Sequence, residues 1–275
     1  MTIDCHQHFW RYDPERDGWI TAEMGVLKRD FLPNDLGHVL TSNSIHGCVS
    51  VQAAQSDAET HFLLQLAERN EFIKGVVGWI DLQRDDLEEQ LEHCSKLRKL
   101  KGFRHVLQSE PKGFMLNPKF IRGLKKLTAF GFTYDLLIYH HQLEEALKLL
   151  SETANVKIVI DHMAKPSIRT QEKTHWELNM AAAGSFENVY CKLSGMVTEA
   201  DWHHWKTEDF FPYLDEVFEV FGPKRVMYGS DWPVCLLAGS YESQLGVVAS
   251  YISALTEEEK ENVMGKNAER FYNLY

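Results

Sequence analysis

No stretch of about 18 consecutive apolar residues occurs in the 275-residue sequence, so no bilayer-spanning helix is expected. The first residues lack a charged segment followed by an apolar one, which predicts no signal peptide. Cysteine is sparse: Cys5, Cys48, Cys94, Cys191 and Cys235 are odd in number, widely spaced and form no CxxC pair. That excludes a disulfide framework, a zinc knuckle and a dithiol redox centre. Most of these thiols lie in apolar runs, where they act as small core residues. The pattern suits a reducing, cytoplasmic setting. Positive charge is also short, with 29 Lys and Arg against 40 Asp and Glu and a net charge of −11. Neither nucleic acid nor an anionic membrane is therefore expected as a partner.

Several catalytic signatures are missing too. There is no GxSxG elbow, no GxxxxGK[ST] loop, no GxGxxG after a strand and no HExxH. If the chain hydrolyses anything, water activated by a carboxylate or a metal is a better agent than a serine nucleophile.

What is present is a large apolar fraction, 44% of residues, with 12% aromatic, enough for a substantial core. Short β-branched and aromatic runs predict strands at Ile3–Phe9, Gly47–Ala53, Ile73–Asp81, Gly102–Leu107, Phe132–Tyr139, Val156–His162, Val189–Ser194 and Arg225–Ser230. Helical spacing falls between them, at Glu59–Asn70, Leu87–Lys99, Pro118–Phe130, Gln142–Thr153, Trp176–Ala183, Phe210–Phe221 and Thr256–Tyr272. Such alternation implies parallel strands joined by crossovers. Eight units in about 250 residues fit a (β/α)8 TIM barrel, an α/β fold, better than an open sheet. No linker or compositional break divides residues 1–275, so one domain is expected. Arg11–Leu36 reads as a long loop after the first strand.

Chemistry in a barrel gathers at the C-terminal ends of its strands. In "DCHQHFW", His6 and His8 are two residues apart and share a strand face. A lone histidine there would be a packing residue; two on one face read as ligands or catalytic groups. "VKIVIDHMAKP" ends a strand with Asp161 and His162, and "RVMYGSDWPVC" ends another with Ser230, Asp231 and Trp232. The plainer reading makes Ser230 or Asp231 a turn cap and pairs Asp161 with Lys165. Four such groups at three strand ends exceed what capping needs. Arg104 and Lys192 put charge into strand-like runs, either to bind a substrate's oxygens or to pair with acidic neighbours inside the barrel. Gln52 ends the second strand, where it either contacts a polar ligand or caps the sheet. The adjacent pairs His140–His141 and His203–His204 read as loop residues, and Trp176, Trp202 and Trp205 as packing aromatics. Trp19, on the first loop, is a candidate wall for a sugar.

The HxH of the first strand, "DHMAKP" and "GSDWPV" together resemble the amidohydrolase superfamily. The nearer resemblance is to its amidohydrolase-2 branch and, within that, to sugar-acid lactonases such as L-fuconolactonases and L-rhamnonolactonases. It spans nearly the whole chain, through "RDFLPNDL", "VSVQAAQSDAET", "VVGWIDL", "GFRHVLQSEP", "CKLSGMVTEADW" and "NAERFY". The resemblance implies a (β/α)8 barrel and hydrolysis of a lactone, such as L-fuconolactone or L-rhamnonolactone, to its hydroxy acid. The superfamily's two-metal pattern has a carboxylated lysine on the fourth strand and a histidine on the fifth. Here those strands carry Arg104 with His105, and "YDLLIY". The implied cofactor is thus one divalent metal, zinc by preference, on His6, His8 and Asp231 with His162 nearby. Metal-free catalysis, as in the related pyrone-dicarboxylate lactonases, stays open.

Under this reading Asp231 is the general base on water, and His162 and Arg104 serve catalysis at the carbonyl. Lys192, Gln52 and Trp19 contact the sugar. Two alternatives remain: a metal-dependent decarboxylase of a small unsaturated acid, and a barrel that binds a sugar acid without turnover. The expected partner is a small sugar lactone; the oligomeric state leaves no mark in the sequence.

Overall fold

Strands covered on both faces must be apolar almost throughout, because neither face meets water. The eight expected runs obey this, and each forms a strand: β1 (Ile3–Gln7), β2 (Gly47–Val51), β3 (Ile73–Gly78), β4 (Leu100–Val106), β5 (Thr133–Leu137), β6 (Ile158–Ile160), β7 (Val189–Leu193) and β8 (Val226–Tyr228). In the computed structural model, which describes residues 1–275, all paired strands run parallel in the order β1 to β8. A helix follows each: α1 (Pro33–Ser42), α2 (Asp57–Arg69), α3 (Leu87–Cys94), α4 (Pro118–Leu127), α5 (Leu143–Glu152), α6 (Thr174–Gly184), α7 (Phe211–Phe221) and α8 (Tyr241–Tyr251). This is a (β/α)8 barrel in one domain. No helix is long and apolar enough to cross a membrane.

Two helices lie outside the expected set. The run read as a loop to Leu36 gives way to α1 at Pro33, a residue suited to a first helical turn. The Asp35 carboxylate accepts the Leu32 N–H at 2.9 Å, and Leu36 and Leu40 are buried one turn apart. Helix α8 starts from Ser240, whose hydroxyl accepts the Ser243 N–H. The expected helix to Lys99 stops at Cys94. That over Thr256–Tyr272 is broken into α9 (Glu257–Glu261), a wide π turn at Asn262–Lys266, and α10 (Asn267–Tyr272).

The larger hydrophobic cluster fills the space between strands and helices. A second cluster fills the lower barrel, where Ala268, Phe271, Tyr272 and Leu274 of the C-terminal segment plug against Ile3, Cys5, Val49, Val51, Val77, Val159 and Met227.

Closure between β8 and β1 relies on few bonds. Asp231 N–H donates to the His6 carbonyl at 2.8 Å, and His8 N–H to the Trp232 carbonyl at 2.7 Å. Below them the carboxylate of Asp4 substitutes for a strand edge. Its Oδ1 accepts the Ser230 N–H at 2.9 Å and the His6 N–H at 3.2 Å, and its Oδ2 accepts the Tyr241 hydroxyl at 3.1 Å. Burial pushes the Asp4 carboxyl up to about 6, and these donors only partly offset it.

A carboxyl whose folded pKa is raised binds its proton more tightly folded than unfolded. Its burial therefore costs nothing below the unfolded pKa, costs progressively more as pH rises from the unfolded pKa to the folded one, and levels off above it. Asp4→Asn removes this term. The unfolding free energy of the native protein relative to Asp4→Asn should fall by on the order of 3 kcal/mol between pH 4 and pH 7. Paired urea melts measure it; a difference independent of pH would show that Asp4 is ionised throughout.

Candidate active site

A one-residue bulge creates the site. Between Asp4 and Gln7, β1 gains a residue relative to β2, since Asp4 pairs with Cys48 but Gln7 with Ser50. Bulges re-aim side chains. Cys5 accordingly packs in the lower cluster, while the next residue, His6, turns into the ring of polar groups above it. Gly229, the residue after β8, permits the approach: a Cβ there would lie 2.6 Å from that of His6.

His8 Nδ1 lies 2.8 Å from the Val51 carbonyl, an acceptor only, so Nδ1 carries the proton and Nε2 is bare. His6 Nε2, His8 Nε2 and Asp231 Oδ1 form a triangle with edges of 3.2, 3.3 and 3.8 Å. Asp231 sits just past β8 in the left-handed backbone region, held there by the seam bonds. His162 follows β6 and begins four consecutive left-handed residues, His162, Met163, Ala164 and Lys165. Each such residue costs about 1–2 kcal/mol. The turn is locked from outside by Trp176 Nε1–H, which donates to the Met163 carbonyl at 2.7 Å, and by His140 Nδ1, 2.9 Å from the Lys165 carbonyl. His162 Nδ1 lies 2.9 Å from Ser194 Oγ.

Beneath the triangle, Lys192 is fully buried with its ammonium 2.5 Å from Asp135 Oδ2, 3.0 Å from Asp161 Oδ1 and 3.1 Å from His6 Nδ1. Asp161 Oδ2 also accepts from Arg104 Nη1 at 3.2 Å. That same Nη1 is 3.3 Å from His6 Nε2, and Nη2 donates to the carbonyl and side-chain oxygens of Gln52. Arg104 Nε alone is buried without a partner.

Burial would raise the Asp231 carboxyl, but the imidazoles of His162, His8 and His6 outweigh it and hold the group below the usual carboxylate range. Burial drives His162 down to about 4 and His6 well below an ordinary histidine, the latter helped by the Lys192 charge. At neutral pH the site therefore holds an ionised Asp231 beside neutral His6 and His162.

The expected cluster of His6, His8, His162 and Asp231 does converge at the strand ends. Arg104 joins it. Lys192 and Gln52, expected against substrate, are placed otherwise. The Lys192 ammonium has three protein partners and no solvent exposure, so it braces His6 from below. Gln52 is likewise buried, its amide donating to the Arg104 carbonyl and accepting from Nη2. Trp19 is 44% exposed and packs edge-on against Trp10. Asp161 pairs with Lys192 and Arg104, whereas Lys165 pairs with Glu199 at 3.6 Å. Asp135, Ser194 and Tyr272 were not singled out from the sequence. For Asp135 a signal existed: a lone carboxylate in "TYDLL" and a lone ammonium in "YCKLSG" each need a buried partner.

The donor set fits a metal. Ligand atoms around a tetrahedral zinc at about 2.0–2.1 Å lie about 3.3 Å apart, close to the triangle's edges. Two imidazoles and a carboxylate also leave a coordination position open. A second cluster, His6, Asp161 and His162, shares His6 with the first, and its carboxylate is already engaged by two cations. The geometry accommodates one ion.

Comparison with known proteins agrees. An amidohydrolase family model matches residues 3–274. The chain is 37% identical to an L-fucono-1,5-lactonase of Burkholderia multivorans, covering 100% of this chain and 96% of the relative. It is 32% identical to an L-fucono-1,5-lactonase of Burkholderia ambifaria, covering 99% and 95%. The crystal structure of an amidohydrolase from Burkholderia multivorans with bound zinc superposes with a TM-score of 0.96, at 38% identity over the full length of both chains.

Two outcomes follow from the geometry. Elemental analysis of protein purified without chelators should find at most one equivalent of divalent metal; two tightly held equivalents would mean that Asp161 and His162 build a second centre. At Gly195, with φ of +60°, an added Cβ would lie 2.5 Å from His162 Nδ1 and 3.2 Å from Asp231 Oδ2. Gly195→Ala should destabilise the protein by at least about 1 kcal/mol and depress turnover. Native melting temperature and native rates in this variant would show that His162 is free to move aside.

Proposed function

The chain belongs to the amidohydrolase family, and we propose that it hydrolyses a sugar-acid lactone, of the L-fucono-1,5-lactone kind, to the open hydroxy acid. The observation that carries the mechanism is Asp231: a buried carboxylate, ionised at neutral pH, touching imidazoles and no lysine or arginine. It is left free to take a proton. Decarboxylation gives such a base no water to activate, and binding without turnover does not require one.

Water hydrogen-bonded to Asp231 attacks the lactone carbonyl carbon, and its proton passes to the carboxylate. The carbonyl oxygen gains charge as the C–O double bond becomes single. Arg104 and His162, both beside His6, are the groups that would oppose that charge. Collapse of the tetrahedral adduct breaks the bond to the ring oxygen, which receives the proton from Asp231 and leaves as the hydroxyl of the product. His6, His8 and Asp231 are the residues that would hold zinc, which when bound supplies Lewis acidity at the carbonyl and a more acidic water. Five free thiols suit a cytoplasmic enzyme.

The test is a panel of aldonolactones, L-fuconolactone included, followed with a pH indicator with and without chelator. Asp231→Asn keeps the shape but cannot accept the proton. Its kcat should fall roughly 10²–10⁴-fold, with KM less affected and metal content measured in parallel. Near-native turnover at unchanged metal content would remove Asp231 from the role of base and transfer it to His162.

A further inference from the structure

Two opposite charges face each other on neighbouring loops beside the site. Lys165 closes the left-handed turn that begins with His162. Glu199 ends the short turn Val197–Glu199, four residues after Gly195. Gly195 is the backbone that lies against both His162 and Asp231, as the place of its missing Cβ shows. Lys165 Nζ and Glu199 Oε1 are 3.6 Å apart, on side chains 19% and 23% exposed. We propose that this pair is a specificity element of the active site, reading two adjacent hydroxyls of the sugar lactone. The proposal rests on the lactonase reading and names the feature of the substrate that the site selects.

The pair does not look like a staple. Charge-assisted bonds close to about 2.7–2.9 Å, and this one stays open. Its loops are fastened without it. His140 Nδ1 holds the Lys165 carbonyl, Thr198 Oγ1–H donates to the Gly195 carbonyl at 2.9 Å, and Trp202 Nε1–H donates to the Thr198 carbonyl at 2.9 Å. Lys165 Nζ otherwise meets the face of the Tyr139 ring, 5.4 Å from its centroid. An ammonium and a carboxylate in a recess thus keep unspent donors and acceptors. Both charges are felt at the chemistry. Burial pushes the Glu199 carboxyl up, the Lys165 ammonium draws it back, and the Asp231 charge is near enough to raise it further. Burial lowers His162, and the Lys165 charge is near enough to add to that. Adjacent hydroxyl oxygens on a sugar ring stand about a hydrogen-bond length apart, and each hydroxyl both donates and accepts. One can accept from the ammonium while its neighbour donates to the carboxylate. A ring without hydroxyls would cover both charges and satisfy neither.

The experiment uses the full-length protein with its metal as purified. δ-Valerolactone offers the same six-membered ring ester without the hydroxyls. In Lys165→Met/Glu199→Met both charges leave together, so no lone charge remains. The ratio of kcat/KM for L-fuconolactone to that for δ-valerolactone should fall about 10- to 100-fold, the worth of a hydrogen bond to a charged group. Loosened loops would slow both lactones alike, and an unchanged ratio would overturn the proposal whatever happens to the melting temperature. Binding supplies an arm that needs no turnover. Titration calorimetry should show the native protein preferring L-fuconate to 5-hydroxypentanoate, and the double variant losing that preference by a similar factor. A native protein without the preference, or a variant that retains it, would also overturn the proposal. If the preference is lost in the variant while no lactone is hydrolysed by the native protein, the hydroxyl-reading pair stands and the lactonase reading alone fails.

Discussion

One ammonium group without access to water organises the centre of this barrel. An unpaired buried cation costs several kcal/mol, and removing one partner of a buried pair typically costs about 3–5 kcal/mol. Lys192 therefore requires both Asp135 of β5 and Asp161, the residue after β6, and they close on it at 2.5 and 3.0 Å. Burial alone would lower the lysine; the two carboxylates reverse this and keep it charged. Once that charge is fixed, His6 beside it is held neutral, and a neutral imidazole is what coordination or proton exchange at the mouth demands.

The second constraint is the closing seam. Seven of the strand junctions are ladders, but β8 meets β1 through a few backbone bonds and the Asp4 carboxylate. Here strand regularity yields to placement. The β1 bulge, the left-handed Asp231 and the close approach at Gly229 all lie along this junction. A regular pairing would send Cys5 and His6 to opposite faces and keep Asp231 in an ordinary strand conformation. The irregularity stores strain, and the surrounding hydrogen bonds over-determine it.

Period and composition made the barrel legible, because parallel strands buried on both faces must be continuous apolar runs. Strand ends came out shorter than the runs, since residues such as His162 turn into the left-handed region past the last ladder pair. Helix α1 was hidden by its place in a long polar stretch, although Pro33, Asp35 and the Leu36–Leu40 spacing were there to be read. In the site, the strand-end histidines and Asp231 were visible because polar groups there lack a structural excuse. The direction in which Lys192 and Gln52 point was not. Charge in a strand says that a partner exists, but whether that partner is substrate or another strand depends on the bulge and the barrel radius. Tyr272 was out of reach altogether, being separated from Asp135 by 137 residues of sequence.

Asp161 and Asp231 illustrate how one scaffold gives two like groups different work. Both follow apolar strands, both are buried and both are held in the ionised form. Asp161 faces Lys192 and Arg104, so its charge is spent on cations and its basicity is lost. Asp231 meets only imidazoles, which lie close to its charge without supplying a fixed positive partner. A carboxylate so placed keeps an oxygen available either to a proton from water or to a divalent ion. The positive charge needed deeper in the barrel is already supplied by Lys192 and Arg104, and does not have to come from an ion at the mouth.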